Sequence, residues 1–359
     1  MITNNATRPT HHAWRRYLPW LNLGLTVLLI IAGLWYLSTR VSLAAVGAAL
    51  AGAKPFYVLL AVGLMLLTVA LKGWRWQLMF PPERSPERPA ERTPVSFAAA
   101  FWAVALGQYV NLIVPFLRLG EVARLYALNQ ESGASAGRAL GTLVIEKTLD
   151  LIFFGLTILF ILPFVILPDF INRPGPMLLL LPLLLLVVLY LLAYRTELVI
   201  RFWQRLIAPL PERPRALLMR LAVAGLEGLA ALRDRRLTLA TLLLSLAIAV
   251  LSVVLPYALF PALALPLTLL DAALIHIAVS IAITPPSTPA KIGVFNGAAA
   301  LMLWQFGLTD ETLIAGYAIL LYLVVVGPQL LLGLIAASRT KWRWNAGIAA
   351  VPPAAPDQV

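Results

Sequence analysis

The chain has 359 residues, 61% hydrophobic and only 12% charged, with a mean hydropathy of +0.87; soluble domains carry about 25% charged residues, so this composition is that of a polytopic membrane protein. Its formal charge of +12 is gathered in a few arginine blocks, which suits anchoring beside an anionic inner leaflet and excludes a nucleic-acid surface, since no soluble domain exists to carry one. The absence of cysteine excludes disulfides, thiolate metal sites and thiol nucleophiles. The three histidines, His11, His12 and His276, have no metal-ligand spacing, so no metal or other cofactor is expected.

Residues 1–19, with Arg8, Arg15 and Arg16, read as a cytoplasmic N-terminal segment. The apolar run at 20–38 has no small-residue cleavage signal close behind it and reads as an uncleaved first span. Further windows near the roughly 20 residues that cross a bilayer lie at 56–80, 140–167, 176–194, 238–260 and 312–337. Residues 81–94 alternate charge with proline and read as a flexible loop. Segments 96–128 and 268–307 are apolar but interrupted, the first at Asn111–Pro115 and the second at Pro285-Pro286-Ser287-Thr288-Pro289. Proline removes a helical hydrogen bond and biases the residue before it away from helix, so neither segment runs through as one straight helix. Residues 195–236 mix arginines with Leu206, Ile207, Leu217, Leu218 and Leu221 and read as helices lying on the cytoplasmic face. One transmembrane domain thus covers 20–338, and the cytoplasmic tail 339–359 ends in an Ala- and Pro-rich stretch expected to be disordered.

The arginines set the orientation. Arginine blocks at the N-terminus, in 81–94, in 195–236 and in the tail all belong on the cytoplasmic side of a cell membrane. A full crossing by 96–128 would push the richest of these outside, so that segment enters from the cytoplasm, turns at the Asn111–Pro115 break and returns. By the same reasoning 268–307 starts and finishes outside, either as a re-entrant hairpin or as two short crossings. The expected fold is an all-α polytopic integral membrane protein with about six full transmembrane helices plus two Pro-broken or re-entrant segments. One opening to each side is the topology of an inverted pseudo-repeat, a plan common among transporters. No residue-level repeat accompanies it.

Polar residues inside these segments are the candidate site, because hydrocarbon offers no partner to a broken backbone or an ionised side chain. Gln108 and Asn111 stand in the first break. Arg118, Glu121 and Arg124 follow at i, i+3 and i+6, so on a helix both guanidinium groups flank the carboxylate. Two such groups could grip a lipid phosphate; the competing reading is that they snorkel to the interface. Glu146 and Asp150, four residues apart, share a helix face, and Lys147 lies three from Asp150. With a helix start near Ser135, Glu146 would lie roughly 16 Å in, although the apolar run behind it also suits an interface position. In the second break, Ser287, Thr288 and Lys291 with helix N-terminal amides could accept an anion, and Asn296 follows; a plain capped loop is the alternative. His276 reads as a buried hydrogen-bond donor. Lys72-Gly73-Trp74-Arg75-Trp76 and Lys341-Trp342-Arg343-Trp344 read as interface belts without a site.

At these clusters the sequence resembles the flippase-like family, also called the lysylphosphatidylglycerol synthase transmembrane region. The family pattern runs from a Gly-x-x-x-Asn and Pro stretch into Arg-x-Gly-Glu with a following Arg, then Glu-Arg-x-x-Asp, then Pro-Gly-x-x-Gly-x-x-Glu. Matching residues here are Gly107, Asn111, Pro115, Arg118, Gly120, Glu121 and Arg124, then Glu146, Lys147 and Asp150, then Pro289, Gly293, Val294 and Phe295. The likeness covers most of 20–337. Lys147 stands in place of Arg, which keeps the charge but not the fork geometry; Ala290 stands in place of Gly and Asn296 in place of Glu.

The resemblance implies movement of a polar-headed phospholipid or isoprenoid-linked lipid between leaflets without an ATP motor. Bifunctional members carry a soluble aminoacyl transferase domain after the membrane region; this chain is expected not to make aminoacylated lipid by itself. In this expectation Arg118, Arg124 and Lys291 meet an anionic head, while Glu121 and Glu146 set the local field or bind a cationic one. The partners are membrane lipids, and the sequence sets no oligomeric state. No catalytic motif marks an enzyme. The rival readings are a membrane-embedded lipid-linked glycosyltransferase, which would want carboxylates on a sizeable outer loop where only Asp169, Asp310 and Glu311 stand, and a non-transporting accessory protein.

Overall fold

The computed structural model describes residues 43–80, 95–114, 119–132, 136–161, 195–209, 234–285 and 288–340, with isolated positions in 184–191 and 211–219. The expected spans at 20–38 and 176–194, the loop 81–94, the N-terminal segment and all but the start of the tail lie outside the described residues. The described residues are predominantly α-helical, without a strand. In chain order the helices are α1 (Leu43–Ala51), α2 (Pro55–Leu78), α3 (Phe97–Ile113), α4 (Leu119–Ser132), α5 (Ala136–Ile161), α6 (Thr196–Ile207), α7 (Arg235–Ala258), α8 (Leu269–Ala282), α9 (Val294–Gln305) and α10 (Glu311–Arg339). Single turns of 3-10 helix lie at Pro261–Leu263 and Pro289–Lys291.

Local chemistry starts these helices where they start. Pro55 opens α2, where a missing N–H costs nothing. Ser96 accepts from the Ala99 N–H at α3, and Asp234 from those of Arg236 and Leu237 at α7. Thr268 and Asp271 form a reciprocal capping box at α8, and Asp310 accepts from Thr312 and Leu313 at α10. Asp310, one of the few acids on the predicted outer side, is thereby occupied in capping.

By length and composition, α2, α7 with the turn behind it (Arg235–Leu263) and α10 can cross a membrane. Helix α5 is 26 residues long, enough to cross, but it carries Glu146, Lys147 and Asp150 within its apolar run. Leu59, Leu66 and Leu67 on α2, Leu239, Leu243 and Leu246 on α7, and Leu331 and Leu334 on α10 face outward. Such apolar outer faces suit lipid, where no hydrophobic force drives them inward. The buried core draws most on α2, α3, α5 and α10, with Ala61, Ala100, Leu106, Ile145 and Tyr317 among the fully enclosed residues. Helix α10 lies centrally, against α1, α2, α3 and α9. Two prolines sit inside long helices, Pro256 in α7 and Pro328 in α10; the Tyr317 hydroxyl donates to the Pro256 carbonyl at 3.0 Å, crossing from α10 to α7.

The first interrupted segment is an antiparallel hairpin of α3 and α4. Its pairing is fixed by opposed positions: Gly107 faces Gly120 and Arg124, and the Asn111 Oδ1 accepts the Gly120 N–H at 2.8 Å. A Cβ on Gly120 would collide with the Gly107 carbonyl and the Asn111 amide, and one on Gly107 would strike the Arg124 stem, so glycine is what lets these two legs touch. With 17 and 14 residues, the legs measure roughly 26 and 21 Å at 1.5 Å per residue, short of the roughly 30 Å hydrocarbon core. The second interrupted segment is likewise a packed pair, α8 and α9, of 14 and 12 residues. The chain therefore runs long, short, short, long through α2, α3, α4 and α5, and again through α7, α8, α9 and α10. The turn at Pro289–Lys291 in the second pair packs on α3 of the first, so the two interrupted segments touch.

Candidate functional site

Six charged side chains from α2, α4 and α5 form one alternating line. Lys147 Nζ lies 3.1 Å from Glu121 Oε1, and Glu121 Oε2 lies 3.9 Å from Arg124 Nη1. Arg124 then donates both terminal nitrogens to Glu146, at 2.9 and 2.7 Å. On the far side of Glu146, Arg75 Nη2 is 3.8 Å from Oε1 and donates to Asp150 Oδ1 at 2.7 Å. Three cations and three anions cancel. At the centre, the side chains of Arg75, Glu146 and Arg124 are 1%, 4% and 5% exposed, while Lys147 and Asp150 at the two ends are 48% and 36% exposed. A charge removed from water must be paired and hydrogen-bonded to persist, and the fork-to-carboxylate geometry at the centre meets that condition.

Neutral groups complete the setting. The Arg124 guanidinium lies 4.3 Å over the Trp76 ring, a cation–π contact strengthened by the lack of water. Trp76 Nε1 donates to Thr142 Oγ1 at 3.1 Å. Arg75 Nη1 donates to Ser245 Oγ at 3.0 Å, so α7 joins the site as a fourth helix. The Nε atoms of Arg75 and Arg124 and the Oε1 of Gln108 are buried, with no hydrogen-bond partner among the described residues.

Of the residues proposed from sequence, Glu121, Arg124, Glu146, Lys147 and Asp150 come together in this line. Asn111 fastens the α3–α4 hairpin and Gln108 lies on α3. Arg118 and Ser287 lie outside the described residues. Lys291 stands in the second break, in the 3-10 turn that touches α3. One expected role changes: both terminal nitrogens of Arg124 are held by Glu146, so its fork is not open to a phosphate. The 72–76 run also reads differently in three dimensions. Arg75 and Trp76 are buried at 1% and 0% exposure, not arrayed in an interface belt. Their hydrogen-bond partners lie 66 to 75 positions further along the chain, or 170 in the case of Ser245, which is why no local spacing marks them. Among the described residues no cluster of three His, Asp or Glu side chains is placed to hold a metal ion.

A profile of the lysylphosphatidylglycerol synthase TM region matches residues 23–333, which takes in every charged residue of this line. The chain belongs to that family. The chain is also similar to the UPF0104 membrane protein MJ1595 of Methanocaldococcus jannaschii, 28% identical over 148 residues, 40% of this chain and 42% of that protein, so the match spans less than half of the relative's length. No solved structure matches the chain.

The structure also places the two residues of the second break at which the sequence departs from the resembled pattern. Ala290, where the family pattern has glycine, has φ 53°, and Lys291 beside it has φ 62°. That left-handed region suits glycine and strains a residue with a Cβ. Tyr322 donates its hydroxyl to the Ala290 carbonyl at 3.0 Å and helps to hold the turn. Asn296, where the pattern has Glu, donates Nδ2 to the Ala318 carbonyl of α10 at 3.1 Å and accepts the Gly293 N–H at 3.4 Å. The donating half of that arrangement needs an amide; an ionised carboxylate only accepts.

Proposed function

We propose that this member of the lysylphosphatidylglycerol synthase TM-region family moves a lipid with a polar head, a phospholipid or an isoprenoid-linked lipid, between the leaflets of the cell membrane, with both termini cytoplasmic. The observation that carries the reading is the meeting of two broken helix pairs beside a buried, self-neutralising line of charges. Discontinuous helices at membrane depth are tolerated where they border protein or a polar path, and ionisable residues there are a transport signature. In this reading the line is a set of exchangeable partners. Glu146 lies within reach of both Arg124 and Arg75, and Glu121 within reach of both Arg124 and Lys147, so a polar head entering at either open end can replace one contact at a time. Net movement requires the head to bind two arrangements of this line with different affinity.

The test is reconstitution in vesicles with labelled lipids, comparing the wild-type chain with Arg118→Ala and Glu121→Gln. Protein-dependent lipid movement, slowed in the variants, is the expected result; movement equal to that of empty vesicles contradicts the proposal. Protein-dependent incorporation of sugar into lipid would instead favour the glycosyltransferase reading.

A further inference from the structure

Beside the line of charges, a cavity of about 300 Å³ lies between α2, α5, α7 and α8. Each of the last three helices gives it one polar stripe: Asp150 and Thr157 on α5, Ser245 and Ser252 on α7, and His276, Ser280 and Thr284 along α8 and just past its end. Intervals of seven and four are those of a single helix face, so the stripes run lengthwise, over roughly 10 to 12 Å at 1.5 Å per residue. One end, at Asp150 and Ser245, meets the line of charges through Arg75. The hydroxyls of Thr157, Ser245, Ser252 and Thr284 each give their hydrogen to the carbonyl four residues back, at 2.6 to 2.8 Å. Their remaining lone pairs can accept from water, and Ser280, whose hydroxyl is uncommitted among the described residues, can donate as well. A polar cavity of this size has the room and the partners to hold several waters.

His276 faces this cavity with its hydrogen-bonding capacity unspent. From sequence it reads as a buried hydrogen-bond donor; among the described residues neither ring nitrogen makes a hydrogen bond, and the ring stands edge-on to Phe154 at 6.1 Å. Lys72 of α2 and Lys147 and Asp150 of α5 line the same cavity, and Lys147 is answered by Glu121 at 3.1 Å. The other helices packed closely on α8 add no charge near the ring: α7 has Arg235, Arg236 and Tyr257 only at its two ends, and α9 has no titratable residue. Asp271 of α8 itself is engaged in its cap. Two groups therefore decide whether the ring carries a proton. The Asp150 carboxylate favours an imidazolium and the Lys72 ammonium opposes it. While Arg75 holds Asp150 at 2.7 Å, the anion is spent and the ring stays neutral; release of Asp150 turns the balance.

We propose that this cavity is a hydrated proton site: an imidazole nitrogen of His276 takes a proton from cavity water as Asp150 leaves Arg75, and returns it to water when that ion pair re-forms. Such linkage is reciprocal, so a proton on His276 loosens the pair of Asp150 and Arg75, and with it one end of the line of charges. Joined to lipid movement, the site lets a proton gradient drive that movement. This last step rests on the transport reading; the proton site does not.

The site is tested first without transport. The chain has only three histidines, so His11→Gln with His12→Gln leaves His276 as the one ring to follow, by carbon NMR of the full chain in detergent with labelled histidine. In that background Lys72→Gln is expected to let the ring take up a proton at a pH roughly one unit higher, and Asp150→Asn to move uptake lower or abolish it, as the loss of one nearby charge does. A ring that stays neutral down to about pH 4 both with and without Lys72→Gln, far below where an ordinary histidine titrates, overturns the site. So does a ring that titrates alike in every one of these chains. Coupling is then tested in sealed vesicles holding the wild-type chain under a pH gradient. Labelled lipid is expected to gather on one face, up to roughly tenfold per pH unit for one proton moved with each lipid, and to spread evenly in His276→Gln. Even spreading in the wild type, or gathering that persists in His276→Gln, overturns the coupling and leaves the transport reading standing. Titration as expected without any lipid movement leaves the proton site standing and contradicts the transport reading.

Discussion

Glu146 is 3% exposed and takes both terminal nitrogens of Arg124, itself 4% exposed, so each makes the burial of the other tolerable. Removing one member of such a pair costs roughly 3–5 kcal/mol, whereas replacing both with apolar side chains of similar volume is often neutral. Arg124→Met and Glu146→Met are therefore each expected to lower the melting temperature of the solubilised protein sharply, and the double variant to recover most of that loss; strictly additive losses would show that the two are uncoupled. A smaller effect of opposite sign belongs to Ala290. Its φ of 53° is a conformation in which a Cβ costs roughly 1–2 kcal/mol, so Ala290→Gly should raise the melting temperature, and a fall would mean that the turn does not hold that conformation in solution. At this scale the sequence exposed the acids and bases of α4 and α5, because charges inside apolar runs stand out. It could not expose Arg75, whose position beside Trp74 and Trp76 looks the same whether the side chain reaches water or a carboxylate 75 residues away.

The α3–α4 hairpin was legible as an element because two kinds of residue agree. The Asn111–Pro115 break stops one helix, and the arginine distribution argues for a second leg that returns. What the sequence left open was how closely the legs pack, since Gly107 and Gly120 gain their purpose only when the two strands of backbone are laid together. Gly120→Leu is expected to separate them and abolish recovery of folded protein, while Leu119→Ile beside it, half-exposed, is tolerated. Topology can be read directly, because the chain has no cysteine. Single cysteines at Ser96 and Gln130, at the outer ends of the two legs and both exposed, should react with an impermeant maleimide from the same side of the membrane. Reaction from opposite sides would make the segment a crossing. Cysteines at Thr268 and Gly307, framing α8 and α9, should react together from the other side.

Over the whole molecule, the order long, short, short, long occurs twice, and the two interrupted regions touch through the Pro289–Lys291 turn on α3. The sequence pattern was enough to anticipate two interrupted segments, each a pair of short helices. Their contact and the line of charges drawn from α2, α4 and α5 depend on packing between distant parts of the chain, which no local window contains. Belonging to the lysylphosphatidylglycerol synthase TM-region family fits a membrane protein built around such a centre, and movement of lipid between leaflets is the claim that ties the parts together. The most direct measurement is the rate at which a head-group-labelled phospholipid becomes accessible on the opposite face of sealed vesicles containing the purified chain. The account predicts a rate well above that of protein-free vesicles for the wild type, reduced by Glu121→Gln with folding and insertion unchanged. A wild-type rate equal to that of protein-free vesicles across anionic, zwitterionic and isoprenoid-linked lipids would contradict it.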